Sequence, residues 1–275
     1  MNKLYIVGTP IGNLEDMSFR AVRVLQEVDL ILAEDTRNSI KLLNHFEIKN
    51  KMLSYHEHNE QAKSIEFIKL LQEGKNIALI SDAGMPGISD PGEILIHKAI
   101  LAGIEVEVIP GANAAITALI QSGLSTKRFV FEGFLPRKKK DRTVYLKRLL
   151  LEIGTSIYYE SPHRIVETLK ELNILIGKRE ISLSRELTKK FEETIRGTAS
   201  ELLKYYQDHE PRGEYVLLVA GNISEEVQMS IDDVLIMVEN RVSAGENKKE
   251  VLKDLAQQFN FSKRDIYQAY LAKRG

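Results

Sequence analysis

Between Ser81 and Gly92 the chain gathers two carboxylates, two hydroxyls, three glycines and two prolines in twelve residues. A simple strand-to-helix turn needs only about two to six residues. Glycine lets backbone approach a bound molecule closely, and proline fixes a loop's path before anything binds. Asp82 stands one residue beyond the end of the apolar run Ile77–Ile80, after Ser81. That places it at the carboxyl end of a predicted parallel strand, where open α/β sheets hold their ligands. Other reactive side chains stand on comparable turns. Glu34, Asp35 and Arg37 follow Leu30–Ala33, His56 and His58 follow Met52–Ser54, and Glu160, His163 and Arg164 follow Ser156–Tyr159. The carboxylates and imidazoles could accept a proton, and the guanidinium forks of Arg37 and Arg164 suit phosphate. Each has a plainer alternative: a capping or turn carboxylate for Asp82, a structural hydrogen bond for a loop histidine, a surface ion pair for either arginine.

The elements that position these turns are legible as alternating short apolar strands and amphipathic helices. Strands are predicted at Leu4–Val7, Leu30–Ala33, Met52–Ser54, Ile77–Ile80 and Val106–Ile109. Helices are predicted at Ser18–Val28, Ile40–Phe46, Gln61–Gln72, Glu93–Leu101 and Ala114–Gln121. Five strand–helix units with near-continuous apolar strands imply a parallel sheet covered on both faces, with all five turns on one rim. After about Leu124 the pattern changes. Strands at Phe129–Gly133, Ser156–Tyr159, Ile181–Ser184, Glu193–Arg196 and Tyr215–Ala220 enclose helices at Val144–Leu151, Ile165–Leu172 and Ser200–Tyr206. Glu193 follows Ser184 too closely for a crossover helix, so part of this second sheet is expected to be antiparallel. The tail reads as three helices, Asp232–Asn240, Lys248–Gln258 and Lys263–Ala272, with Asn247 and Ser262 as caps. The expectation is an α/β chain in three parts: residues 1–123, a second α+β domain over 124–223, and a helix-turn-helix-like module over 224–275.

Composition narrows the chemistry. The 275 residues include no cysteine, which removes disulfides, thiolate zinc sites and a cysteine nucleophile. Net charge is −1, so any surface for a polyanion has to be local. No run of about 18 apolar residues suggests a membrane span, and a cytoplasmic protein is expected. No metal site is expected either. The turn Gly8–Asn13 is not a dinucleotide fingerprint, and Gly74–Asn76 lacks the loop and hydroxyl of a P-loop.

Seven stretches, in order, carry a resemblance. They are Leu4–Leu14, Ala33–Arg37, Ser54–Asn59, Ser81–Pro91, Phe131–Pro136, Tyr159–Arg164 and Gly213–Tyr215. Together they resemble the ribosomal RNA small-subunit methyltransferase I branch of the tetrapyrrole methylase superfamily. The resemblance implies a two-domain parallel-plus-mixed-sheet architecture, S-adenosylmethionine as methyl donor, a homodimer, and a ribose 2′-hydroxyl of a decoding-centre cytidine in 16S rRNA as the acceptor. It puts Pro10, Asp82, Ala83, Gly84, Ile88, Ser89, Asn113 and Ala114 near the cofactor, with Tyr159 and the strand Leu217–Ala220, including Leu217 and Ala220, closing the pocket. The last strand could equally be ordinary core. Gly8 stands where the family usually has Ala, Asn38 where His is common, and Ala112-Asn113 where Pro-Ser is frequent. For the proton acceptor that a ribose hydroxyl needs, Glu160 and His56 are preferred.

RNA contact should show as local positive charge. Residues 136–148 carry seven basic side chains, among them Arg137, Lys138, Lys139 and Lys140, against a single Asp141. Such a segment could track a phosphate backbone together with Arg37 and Arg164, or could be a solvated face. Two other functions fit parts of the chain: a small-molecule tetrapyrrole methylase, and a non-enzymatic nucleic-acid-binding regulator built around the tail. The basic segment speaks against the first. The near-neutral tail, with eight Lys/Arg and nine Asp/Glu, speaks against the second.

Overall fold

In the computed structural model, residues 2–222, 231–243, 246–258 and 261–272 are described. The chain divides into two compact units, Met1–Asn222 and Ile223–Gly275.

The first unit opens with β1 (Lys3–Val7), α1 (Phe19–Glu27), β2 (Leu30–Ala33), α2 (Thr36–His45), β3 (Met52–Ser54), α3 (Glu60–Gln72), β4 (Ile77–Ile80), α4 (Glu93–Leu101), β5 (Glu105–Ile109) and α5 (Ala114–Ser122). All strand pairs here are parallel, in the order β3-β2-β4-β1-β5. Every residue of β2 and β4 is buried, because helices cover both faces. One face packs Ala21, Val24 and Leu25 of α1 and Leu43 of α2 on Val7, Ile31, Ala78 and Ile80. The other packs Phe67 and Leu71 of α3 and Leu95 and Ala99 of α4 on Leu4, Ile6, Leu32 and Leu79. The turn after β4 therefore leads to one face, while the turns after both its neighbours, β1 and β2, lead to the other. This is the switch in winding that opens a crevice at the carboxyl ends of strands. Side-chain caps fix the helix starts: Ser18 accepts from the Ala21 N–H, Asp35 from Arg37 and Asn113 from Ile116.

The unit continues with β6 (Phe129–Phe134), α6 (Lys139–Leu146), β7 (Thr155–Glu160), α7 (Ile165–Ile176), β8 (Glu180–Arg185), β9 (Glu193–Thr198), α8 (Ala199–Asp208) and β10 (Tyr215–Val219). The sheet order is β6-β7-β10-β8-β9. β6 and β7 are parallel, and β10 runs antiparallel to β7 and β8. The β8–β9 pair is an antiparallel hairpin, as the short spacing required. One face carries α7 and α8 over Leu183, Leu217 and Val219. The opposite face meets α5 through Ile157, Val216 and Leu218, which joins the two sheets in one body. Two helix starts differ from expectation by four residues or more. α2 begins at Thr36, since Asp35 caps it before the apolar pattern starts. The helix expected at Val144 starts at Lys139, inside the basic segment, and passes into a 3-10 turn at Lys147–Leu150.

The second unit contains α9 (Ile231–Ser243), α10 (Lys248–Gln258) and α11 (Lys263–Ala272). They enclose Val234, Val238, Val251, Leu255, Ile266 and Tyr270. Asn247 and Ser262 accept from the Lys249 and Asp265 N–H groups. Residues 224–230, the start of the expected tail module, lie outside the described residues. Among the described residues no helix is long and apolar enough to cross a membrane.

Candidate active site

Three turns of the first sheet are fastened to one another. Thr9 and Gly84 exchange backbone hydrogen bonds at 2.9 and 3.1 Å, and the Thr9 hydroxyl donates to the Ser81 carbonyl at 3.2 Å. Gly84 sits at φ +78°, open to glycine without strain. A Cβ on Gly8 would stand 2.7 Å from the Gly111 Cα, so the turns after β1 and β5 touch backbone to backbone. On the other side, Asp82 takes hydrogen bonds from the turn after β2: Oδ1 from the Asp35 N–H at 3.2 Å, Oδ2 from Asn38 Nδ2 at 2.9 Å.

The β8–β9 turn closes over this rim. A Cβ on Gly12 would lie 2.5 Å from Lys189 Cγ and 2.9 Å from Thr188 Oγ1. Glu186 and Thr188 in this turn hold φ of +50° and +66°, a costly conformation for a β-branched residue. They flank Leu187, which is buried against α5 and the second sheet.

Between rim and turn lies a cleft of about 540 Å³. Ile11, Met85, Ile88, Phe134, Tyr159 and Val216 supply its apolar wall. Ser89, Asn113 and Ser184 add polar groups, and Glu34, Asp82, Asp90 and Glu214 add carboxylates. Burial pushes the Glu34 carboxyl above its ordinary range, and the charges of Asp90 and Asp82 push it further. Burial likewise raises Asp90, helped by Asp82 and Glu214. The cleft's two cations are engaged: Arg185 Nε with Glu193 at 2.7 Å, and Lys189 Nζ with Glu186 at 3.1 Å. A cavity of this kind favours a ligand that carries positive charge beside an apolar, flat body. No group of three or more His, Cys, Asp or Glu able to hold a metal occurs among the described residues.

Of the residues expected at the cofactor, Asp82, Ala83, Gly84, Ile88, Ser89, Asn113, Ala114 and Tyr159 all line this cleft. Three do not. Pro10 is buried, and its neighbour Ile11 takes the lining position. Leu217 faces the helix-covered side with no exposed surface, and Val216 faces the cleft, because successive strand side chains alternate. Ala220 lies past the end of β10, where its carbonyl accepts from Arg179. Both preferred proton acceptors are also elsewhere. Glu160 is fully buried and its oxygens are taken by Arg164, Ser161 and Thr168. His56 follows the edge strand β3 and is held by Asn59 through its N–H and ring.

The basic residues divide as well. Arg137, Lys138, Lys139 and Lys140 are exposed, but Arg142 in the same run is buried between Glu171 at 2.7 Å and Glu167 at 2.9 Å. Arg164 is tied to Glu160, and Arg37 is highly exposed yet bonded bidentately by Asp35. Sequence reasoning missed Asp90, Met85, Glu186, Leu187 and Val216 as lining residues. Asp90 lay within the loop already singled out, and strand alternation distinguishes Val216 from Leu217 only once one face is known.

Residues 3–203 match the family of tetrapyrrole (corrin/porphyrin) methylases. The chain is 49% identical, over 97% of its length and 94% of the relative's, to a ribosomal RNA small subunit methyltransferase I of Halalkalibacterium halodurans. The chain belongs to this family of methyltransferases. A second member, from Bacillus subtilis, is 47% identical across the whole chain and 96% of its own length. Its fold is shared with a uroporphyrin-III C-methyltransferase from Thermus thermophilus, solved with S-adenosyl homocysteine. That likeness has a TM-score of 0.55 and 17% identity, covering 80% of this chain and 97% of that one. As a tetrapyrrole methylase by fold, the chain places its carboxylate-lined cleft at the rim formed by the turns after β1, β2, β4 and β5.

Proposed function

We propose that this protein transfers a methyl group from S-adenosylmethionine to the ribose 2′-hydroxyl of a decoding-centre cytidine in 16S rRNA, within the small ribosomal subunit, acting in the cytoplasm as a homodimer. The observation that carries the reading is the cleft itself. Its walls are apolar, the Gly84 turn lends it backbone, and five carboxylates line it, Glu186 among them on the turn 186–189 that closes it from the second sheet.

The residues present fit the cofactor. Ile11, Ile88, Phe134 and Val216 suit a nucleoside base, Ser89 and Asn113 offer polar partners, and Glu34, Asp82 and Asp90 favour a cation. When bound, the cofactor supplies a methyl group on positively charged sulfur, an electrophile already activated. What remains for the chain is to position the acceptor oxygen and remove its proton. Glu34 and Asp90 carry the raised carboxyls of the cleft, which brings them nearer the working pH of a general base. In this reading they replace His56 and Glu160. The exposed Arg137–Lys140 segment follows directly on Phe134–Pro136 at the cleft and suits an RNA backbone.

The test is transfer from methyl-labelled S-adenosylmethionine to purified small ribosomal subunits, followed by nuclease digestion. Label recovered in a 2′-O-methylcytidine is the expected result. Label on a base, or transfer to a tetrapyrrole precursor instead, contradicts it.

A further inference from the structure

Glu160 and Tyr159 are neighbours on β7 and point to opposite sides of the sheet. Tyr159 lines the cleft, its ring 5.4 Å from that of Phe134. Glu160 enters the packed side and has no exposed surface. A carboxylate so placed requires partners, and the turn leading into α7 and the helix's first turn supply them. Oε1 accepts from Arg164 Nη2 at 2.6 Å and from the Ser161 N–H at 2.8 Å, and Oε2 accepts from the Thr168 hydroxyl at 2.9 Å. The guanidinium then reaches across. Its Nη1 donates to the carbonyls of Leu135 at 3.1 Å and Pro136 at 3.4 Å. Those two residues join Phe134, in the cleft wall, to the exposed basic run that begins at Arg137.

We infer that Arg164 is a positioning residue: anchored by Glu160, it fixes the Phe134–Pro136 turn and so sets where the basic segment leaves the cleft. This rests on the reading of that segment as the RNA contact, and it gives Arg164 a role other than gripping phosphate. Substrate phosphates held by Arg137–Lys140 then stand at a fixed offset from the cofactor, which places the acceptor ribose. A lysine cannot substitute. Its single ammonium can satisfy Glu160 or the carbonyls, whereas the planar fork does both.

The test uses Arg164→Lys in the full-length protein, with Glu160→Gln/Arg164→Met as a second variant that leaves no buried charge unpaired. Four quantities are measured: melting temperature, cofactor affinity, amide hydrogen exchange over residues 134–141, and kcat/KM on small ribosomal subunits. Arg164→Lys is expected to weaken cofactor affinity by a few fold at most, through the loosened Phe134. Exchange should rise in 134–141, and kcat/KM should fall by about ten- to a hundredfold, the scale of an ångström-level misplacement. The double variant should behave alike. Unchanged exchange in 134–141 with wild-type kcat/KM, in either variant that folds, overturns the inference. Should the wild type itself fail to methylate small subunits, the RNA reading falls, and hydrogen exchange alone then decides whether Arg164 pins the turn.

Discussion

Asn38 holds Asp82 in place: its Nδ2 donates to Asp82 Oδ2 at 2.9 Å, while the backbone N–H of Asp35 supplies Oδ1 at 3.2 Å. Both donors come from the start of α2, so the turn after β2 orients a carboxylate belonging to the turn after β4. Asp82 itself lines the cleft. Replacing Asp82 with Ala is expected to weaken S-adenosylmethionine binding by about 1.5–3 kcal/mol, roughly ten- to a hundredfold, the range for a hydrogen bond to a charged group. Asn38→Ala should do less, because it removes one tether and leaves the carboxylate. Calorimetry on both variants checks this. Equal affinity in Asp82→Ala and wild type takes Asp82 out of the site.

Glu34 and Asp90 give the cleft a pH dependence with a definite sign. Both carboxyls titrate above their ordinary range in the folded protein. Their contribution to stability is therefore greatest below the ordinary carboxyl pKa and is lost as pH rises through the raised values. A bound cation reverses this by favouring the ionised forms. The affinity ratio of S-adenosylmethionine to S-adenosylhomocysteine, which lacks the sulfonium charge, should accordingly grow as pH rises from about 5 to about 8. In Asp90→Asn that growth should be smaller, and the variant should be more stable than wild type at neutral pH. A ratio flat with pH in the wild type would show that the carboxylates do not face the sulfonium.

Leu217 and Val216 separate core from cleft on one strand. Leu217 has no exposed surface and packs under α7 and α8. Its replacement by Ala should cost about 2–5 kcal/mol of stability and leave cofactor affinity of the folded protein unchanged. Val216→Ala should lose less stability and weaken the cofactor. Urea denaturation combined with calorimetry reads both, and the reverse pattern would mean that the strand's faces are exchanged.

The basic run splits into an exposed part, proposed to meet RNA, and a buried member, Arg142. Neutralising Lys138, Lys139 and Lys140 to Gln should reduce the slope of log affinity for RNA against log salt by up to about 2, at roughly 0.7 per phosphate contact on a single strand. Arg142→Ala instead leaves Glu171 without its buried partner and should cost about 3–5 kcal/mol of stability. A salt slope unaltered in the triple variant removes the segment from the interface.

The first sheet was legible because its central strands are buried on both faces, so Leu30–Ala33 and Ile77–Ile80 read as unbroken apolar runs. The start of α6 was hidden. Lys139–Lys140 gives no apolar periodicity, and the buried member of that helix, Arg142, looks in sequence like its exposed neighbours. The cleft-facing side of β10 was hidden for a related reason: Tyr215–Val219 is buried throughout, so no polar alternation marks a face. His56 lies on the shared rim, as expected, but after the edge strand β3 and outside the cleft lining, and strand order is not written in local pattern. Glu160 and Arg164 looked like exposed turn residues. Their pairing four residues apart at the entry to α7 turned them inward, and only packing reveals that.

A crystal grown with S-adenosylmethionine is expected to hold the nucleoside between the Asp82–Gly84 turn and Val216, with its sulfonium facing the Glu34, Asp82 and Asp90 carboxylates. Cofactor bound at another surface, with this cleft empty at saturating concentration, would contradict it.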